Sequence, residues 1–537
     1  MKIGISIIAL TFFQLAFGQD PPQYGTPFNG VPDPRDASIY QVNIRAFSEG
    51  GNFQGVTNRL DQIAALGVNV LYLMPCTPVG VLKTANSPYC VKDYKAVNPE
   101  FGTLGDLRTL VQEAHKRGMA VILDWVANHT AWDHPWITAH PNWYEQDGSG
   151  NIQPAKVNGF VWNDVAKLNF DNQDMRLGMI DALRYWIFAA NVDGFRCDFV
   201  DGPPVDFWKQ ANGNLRGIST HKLILYAEGG RLENYTAFDY NHGFSFYDGL
   251  KAMFGGSQLT ALKVEAENDA QYKGAGESNR LVRYITNHDV NGWDGPPQNL
   301  FGGQAGAMAA FVLVAFNKSV PLIYNGQEIA LNYALTFPFT GQKINWNPNK
   351  EVTDEYAKLI KFRNASEAIR RGAQTSYSTK DISAFVKTTD KEKVLVLVNI
   401  RNQTLQFTLP SGIANATWYN GFDKSAVKFG TTVTLAPYQY MAVSAAPLVA
   451  SGNIRMEASK AGEPAFRTRF ENSMLTVTGM IPGSRLEVRD VKGKSVFGSI
   501  SRKETESIDL RNANAGIYIV TLNRPDGMHP YTREILR

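Results

Sequence analysis

Apolar residues along the first two thirds of the chain fall into two alternating patterns. Short, nearly unbroken runs read as β-strands: SIYQVNI (38–44), NVLYLM (69–74), MAVILD (119–124), NVDGFRCD (191–198), KLILYAE (222–228), LVRYIT (281–286) and PLIYNG (321–326). Between them the period lengthens to that of an amphipathic helix. The clearest case is TLGDLRTLVQEAHKRG (103–118), where Thr103 caps the start, Leu107, Leu110, Val111 and Ala114 share one face, and Gly118 ends it. This alternation predicts parallel βαβ units, and with one further strand expected near 243–247 it makes an α/β fold, a closed (β/α)8 TIM barrel. One connection is longer than a barrel needs. Residues 130–172, rich in Trp, His, Asn and Gly, predict a small inserted subdomain after the third strand.

After about residue 370 the helical period disappears. KVLVLVNI (393–400) and TLQFTLP (404–410) predict an antiparallel β domain over 371–446. A linker, PLVASGN (447–453), precedes LTVTGM (475–480), SRLEVRDVKG (484–493) and GIYIVTLNR (516–524), which predict a small C-terminal β-sandwich within 447–537. At the other end, Lys2, an apolar run through Phe17 and the small-x-small triplet Ala16-Phe17-Gly18 predict a signal peptide over 1–18, leaving the barrel at 19–370. No later run offers eighteen apolar residues, so the exported chain is expected to be secreted or attached at the cell surface, not membrane-spanning.

Composition changes this picture little. A chain of 537 residues is long enough for two or three domains. Its 53 basic and 50 acidic residues are interspersed and sum to +3, without the polybasic stripe that would point to nucleic acid. The 10 Trp and 22 Tyr suit cores and sugar faces equally. With Cys197 expected against the helix layer, Cys76 and Cys90 are the only plausible disulfide pair among the three cysteines.

The chemistry is concentrated at strand ends. In DGFRCDFVDG (193–202), alternation puts Gly194, Arg196 and Asp198 on one side and Phe195, Cys197 and Phe199 on the other, so the two charges share an interior or a cleft. Other predicted strands also end in acids: the third at Asp124, the fifth at Glu228, and the seventh runs into His288-Asp289. In a barrel these ends gather at one mouth. Two carboxyls facing one cleft are the minimum for glycoside hydrolysis, one ionised and one protonated. Arg196 is expected to lower the pKa of Asp198, while Glu228, with no adjacent cation in sequence, is expected to stay protonated as acid/base.

These residues resemble the α-amylase superfamily of glycoside hydrolases, whose signature regions are similar to DWVANH (124–129), GFRCD (194–198), AEGG (227–230) and TNHD (286–289), supported by SPYCVKDYKAVNPEFGT (87–103) and PLIYNGQE (321–328). The resemblance implies that Asp198 is the nucleophile, Glu228 the acid/base and Asp289 a third acid that grips sugar hydroxyls. It implies further that Arg196 orients the nucleophile, Asp124 supports it, His129 and His288 bind the same glucose, and Tyr89 stacks on its ring. Asn128 and Asn169 fall where relatives supply ligands to a structural calcium ion, although two neutral amides are weak donors for a hard cation. Asp201 and Gly202 stand where many α-amylases have a lysine-histidine pair, and VAKLN (165–169) is similar to the neopullulanase pattern.

The function so implied is a secreted, retaining hydrolase of α-1,4 bonds in starch or maltodextrins, with tryptophans 132, 136, 143 and 162 available to line an open, endo-acting cleft. A neopullulanase or cyclomaltodextrinase-type hydrolase, or a transglycosylase, is the alternative within the mechanism; a non-catalytic starch-binding surface protein is the alternative outside it. The partner in each case is an α-glucan. Finally, LEVRDVKGKSVF (486–497), IDLRNANAGIYIVTL (508–522) and TREILR (532–537) resemble the C-terminal sorting domain of type IX secretion cargo, which implies contact with secretion machinery; a carbohydrate-binding or plain β-sandwich module is the other reading.

Overall fold

A computed structural model describes residues 20–157, 159–255, 259–447 and, beyond these, 467–471, 474–478, 480, 483–490, 494–511, 517–523 and 531–536. The expected signal peptide and residues 448–453 of the expected linker lie outside the described residues. Two compact units are present, Met1–Leu448 and Val449–Arg537.

In the first unit, eight parallel strands close into a barrel: Ile39–Val42, Val70–Leu73, Ala120–Val126, Gly194–Asp198, Ile224–Ala227, Tyr240–His242, Arg280–Arg283 and Val320–Tyr324. Each pairs with the next in sequence, and the eighth pairs with the first. The helix between the second and third strands spans Leu104–Lys116. Thr103 and Asp106 cap each other's backbone at its start, and Leu107, Leu110, Val111 and Ala114 are buried. Burying each larger apolar side chain contributes about 2 kcal/mol, and that stripe fixes the helix against the sheet.

Two local expectations need correction. The sixth strand is Tyr240–His242, and the aromatic run placed near 243–247 instead opens the helix Phe244–Phe254. Phe199 does not join Phe195 and Cys197 in the packed layer. It follows the fourth strand with φ 40° and turns its ring toward Trp162, 5.8 Å between centroids. Gly194 begins that strand at φ 140°, and a Cβ there would stand 1.9 Å from the Ile224 carbonyl oxygen, so only glycine lets the fourth and fifth strands approach.

The segment after the third strand forms a three-stranded antiparallel sheet in which Phe160–Lys167 lies between His129–Ala131 and Pro154–Val157. A six-stranded antiparallel sheet follows the barrel, with Lys393–Asn399 central. Val394, Val396 and Val398 of that strand pack into the barrel's core, while Leu395 and Leu397 pack into a second core with Ile382, Phe407 and Leu435. A strand buried on both faces explains why VLVLV is apolar without alternation. The second unit holds a three-stranded and a four-stranded antiparallel sheet around one core that includes Leu475, Val477, Leu486, Val488 and Leu522. Among the described residues, no helix is long and apolar enough to cross a membrane.

The expected Cys76–Cys90 disulfide is not formed, and all three cysteines are buried free thiols. Cys76 sits in the barrel core, whereas Cys90 joins Ala131, Ala155 and Val165 under the inserted sheet and donates to the Asp164 carbonyl at 3.3 Å. Burial pushes both thiols up to about 12, which leaves them inert.

Candidate active site

The barrel brings Asp124, Arg196, Asp198, Glu228, His288 and Asp289 to its C-terminal mouth, as their strand-end positions predict. Alternation carries Arg196 inward from the fourth strand, where its guanidinium is buried. Nη1 reaches Asp124 Oδ1 at 2.7 Å and Asp198 Oδ1 at 3.1 Å, and Nη2 pairs with Glu228 Oε1. The expectation that Glu228 lacks an adjacent cation is therefore corrected: its neighbour across the sheet supplies one. The backbone N–H of Phe199 also donates to Glu228 Oε2, at 2.9 Å.

Sharing one guanidinium changes the electrostatics. Burial and repulsion from Glu228 raise the pKa of Asp198, overcoming the pull of Arg196, so the expected lowering at Asp198 is corrected as well. Burial pushes Glu228 up to about 7 and Asp289 up to about 6. A cluster of this kind retains a proton close to neutrality, and that proton belongs to the group of carboxyls as a whole.

Around this core runs a network only partly visible in the sequence. Asp124 Oδ2 accepts from the hydroxyls of Tyr72 at 2.5 Å and Tyr89 at 3.1 Å. Tyr89 also meets His288 Nε2 at 2.7 Å and stacks on that imidazole, centroids 5.7 Å apart. His288 Nε2 lies 3.3 Å from Asp289 Oδ1, and its Nδ1 lies 2.8 Å from the Gln41 amide of the first strand. Asn287 accepts from the N–H groups of Asp289 and Val290, both at 2.9 Å, which fixes the turn presenting Asp289. Burial holds His288 down to about 3 and His129 down to about 4, so both rings are neutral. His129 is occupied on both sides, with Nδ1 at the Asn128 amide and Nε2 at the Tyr89 carbonyl, 3.2 Å each.

Gln41 and Tyr72 escape a sequence reading because neither stands in a motif; inward alternation on the first two strands is their only signal. Asp201 stands out in the sequence only as a departure. It binds the Gly230 N–H at 2.8 Å, Arg231 Nε at 3.0 Å and the Asn234 amide at 2.9 Å, tying together the loops after the fourth and fifth strands. Gly229 leaves room for this tie, since a Cβ there would lie 2.6 Å from Asp201 Oδ1 and push the side chain aside.

The four tryptophans of the insert separate by role. Trp162 stands edge-on to His129, with centroids 5.7 Å apart, and faces Phe199, whose N–H binds Glu228. Trp136 and Trp143 pack edge to face at 4.8 Å and line a different cavity of about 370 Å³ with Tyr94 and His134. Trp132 lies beneath Lys83, whose Nζ is 3.7 Å from the ring. Exposed rings elsewhere follow other strands: Phe244 opens the helix after the sixth, Trp293 lies in the short helix His288–Asp294 after the seventh, and Phe337 lies beyond the eighth.

The calcium expectation meets an unsuitable donor set. Asn128 Oδ1 accepts from Lys167 Nζ, and Asn169 Oδ1 accepts from the Asp171 N–H at 3.0 Å. A half-buried ammonium at the amide oxygen repels a divalent ion, so these residues do not fit calcium.

A parallel barrel whose mouth gathers several acids around one arginine defines a glycosidase-like site. Comparison with known proteins agrees. Residues 28–152 match the family "Alpha amylase, catalytic domain", and residues 382–440 match "Alpha-amylase SusG C-terminal domain". The chain is 26% identical over 398 residues to Alpha-amylase 2 of Dictyoglomus thermophilum, covering 69% of this chain and 67% of that protein. It is 25% identical to Neopullulanase 2 of Thermoactinomyces vulgaris, covering 73% and 70% respectively. The structure of an alpha-amylase from Lactobacillus plantarum superposes with a TM-score of 0.68 at 27% identity, covering 77% of this chain and 99% of that one. The chain is thus similar to α-amylase catalytic domains over residues 28–152 and to a SusG-type C-terminal domain over residues 382–440, and its barrel superposes on that of a solved alpha-amylase.

Proposed function

We propose that the protein is an exported, retaining hydrolase that cleaves α-1,4-glucosidic bonds within starch or maltodextrin chains. The observation that carries this reading is the contact of one guanidinium with Asp198 and Glu228 through neighbouring nitrogens. Two carboxyls held that close suit a double displacement, whereas inversion needs room for a water between them. Asp198 attacks the anomeric carbon while Glu228 gives its proton to the departing glycosidic oxygen. A water molecule then attacks the covalent glycosyl-enzyme, Glu228 takes the water's proton, and Asp198 is released. Asp289 and His288 face the same space and hold sugar hydroxyls, Tyr89 offers a ring to the glucose face, and Asp124 positions Arg196 and Tyr89. Phe244, Trp293 and Phe337, exposed after three consecutive strands along one side of the mouth, suit a long chain better than a short sugar.

A second reading, a hydrolase or transglycosylase of cyclodextrins or pullulan, is favoured by one observation. Asp201 is bound into a loop tie with Arg231 where many α-amylases place a lysine-histidine pair toward the substrate. Export rests on the composition of residues 1–18 and on the sorting-like motifs within 486–537. Incubation with starch, pullulan and β-cyclodextrin, followed by product sizing and NMR of the first anomer released, tests these readings together. Mixed oligosaccharides of α configuration from starch support the proposal. Preference for β-cyclodextrin or pullulan supports the second reading, and β-anomers overturn retention.

A further inference from the structure

The third barrel strand runs into Asn128 and His129, and the inserted sheet returns through the strand Phe160–Lys167. Across that sheet Lys167 is the register partner of His129, so the backbone ladder itself delivers the lysine ammonium to the Asn128 amide. The other half of that amide holds His129 Nδ1, and His129 Nε2 reaches the Tyr89 carbonyl. Phe170 places its ring 5.0 Å from Lys167 Nζ. The loop after the fourth strand closes the remaining side, for a Cβ on Gly202 would stand 2.7 Å from Asn128 Oδ1. The half-buried ammonium is thus held between the Asn128 amide oxygen and the Phe170 ring, with the loop after the fourth strand packed against that amide.

We propose that Lys167 is a covalently built-in cation that joins the inserted subdomain to the barrel in place of a bound divalent ion, and that through Asn128 it positions His129 and Tyr89 beside the acids. An ammonium supplies one charge and three directed donors, enough to satisfy a neutral amide without carboxylate ligands. A calcium ion 2.3–2.6 Å from the same oxygen, the ordinary calcium–oxygen distance, requires the lysine to leave. The two cations are therefore alternatives, and the chain has chosen the one it cannot lose to dilution. Lys167 is a positioning residue and touches no reacting atom.

The test uses the full-length protein. Exhaustive dialysis against EDTA, and separately addition of millimolar calcium, should each leave the melting temperature of the wild type unchanged within about 1 °C, since a ligand that binds the native state raises it by mass action. Lys167→Met keeps length and removes charge. It should melt several degrees lower, remain insensitive to both treatments, and show a raised KM as His129 and Tyr89 lose their anchor, whereas Lys167→Arg should recover much of the loss. A wild-type melting temperature that falls on chelation or rises with calcium overturns the proposal, as does wild-type melting in Lys167→Met. The wild-type arm needs no variant, so failure of Lys167→Met to fold leaves the decision to it, and the melting readouts stand apart from whether any glucan is hydrolysed.

Discussion

Two buried arginines of the same barrel, Arg196 at the mouth and Arg363 at the opposite end, show how position decides what a charge is for. Arg196 faces three carboxyls; burial opposes its charge, but Asp124 and Glu228 raise its pKa well above the ordinary arginine value. Arg363 lies where the first and eighth strands begin and donates to the carbonyls of Arg35 and Ser319 at 3.0 and 3.1 Å. Its Nε and Nη1 find no acceptor among the described residues, and burial pulls its pKa down to about 9. Carbonyls satisfy a cation without contributing a titratable partner. Carboxyls in excess make the same cation the centre of a group that holds and exchanges protons. Stability is assigned to one end of the barrel and chemistry to the other.

The comparison breaks most severely if the acids are not the reactive groups. Asp198→Asn and Glu228→Gln should each lower kcat by about 10³-fold or more while the circular dichroism spectrum stays native, because neither change alters volume much. Near-normal turnover in either variant defeats the assignment.

Arg196→Lys should cost about 10²-fold in kcat/KM, since a point charge on a different stem cannot reach three carboxyls, and small displacements at the reacting centre are expensive. An equally active lysine variant would mean that only the charge matters.

Acidity sharpens the contrast. With Glu228 pushed to about 7 in the free protein, kcat/KM should fall on the alkaline side near that pH as the acid loses its proton. Stability carries the same signature. Glu228 binds its proton more tightly folded than unfolded, so its contribution is complete below the ordinary value of 4.5 and is lost as pH rises from there through about 7. Glu228→Gln should flatten the melting-temperature profile between pH 4.5 and 7 and melt above the wild type at pH 8. An unchanged profile would show that the proton resides elsewhere in the cluster.

The smallest effect belongs to the other arginine. Arg363→Met removes two charge-assisted hydrogen bonds and also relieves a desolvated cation, so unfolding free energy should change by about 1–3 kcal/mol. Its kcat, KM and pH profile should match the wild type, and a shifted profile would contradict the division between the two ends.

Much of this is legible in the amino-acid sequence alone. The acids stand at strand ends in motifs, and a barrel leaves them little choice of where to meet. Helix 104–116 follows from capping and period. The mismatches share a cause: alternation gives the face of a residue but not its neighbours on adjacent strands. Glu228 looks free of a cation in sequence because Arg196 lies a whole βα step away, and Gln41 is invisible because its partner His288 lies on the far side of the closure. The short sixth strand, Tyr-Asn-His, carries no apolar run, so the aromatic segment after it draws the assignment. Lys167 stands inside a motif, and nothing in the linear pattern marks it as a charge with a place to go.

Gly194 ties the stereochemistry to the backbone. By admitting the Ile224 carbonyl it sets the ladder in which Gly194 faces Ile224 and Cys197 faces Ala227, so Asp198 and Glu228 occupy the next rung side by side. Adjacent strands run about 4.8 Å apart, close to the 5–5.5 Å that separates the carboxyls of a retaining pair. Under the retaining mechanism proposed, the handedness of the sugar released follows from the spacing of adjacent strands.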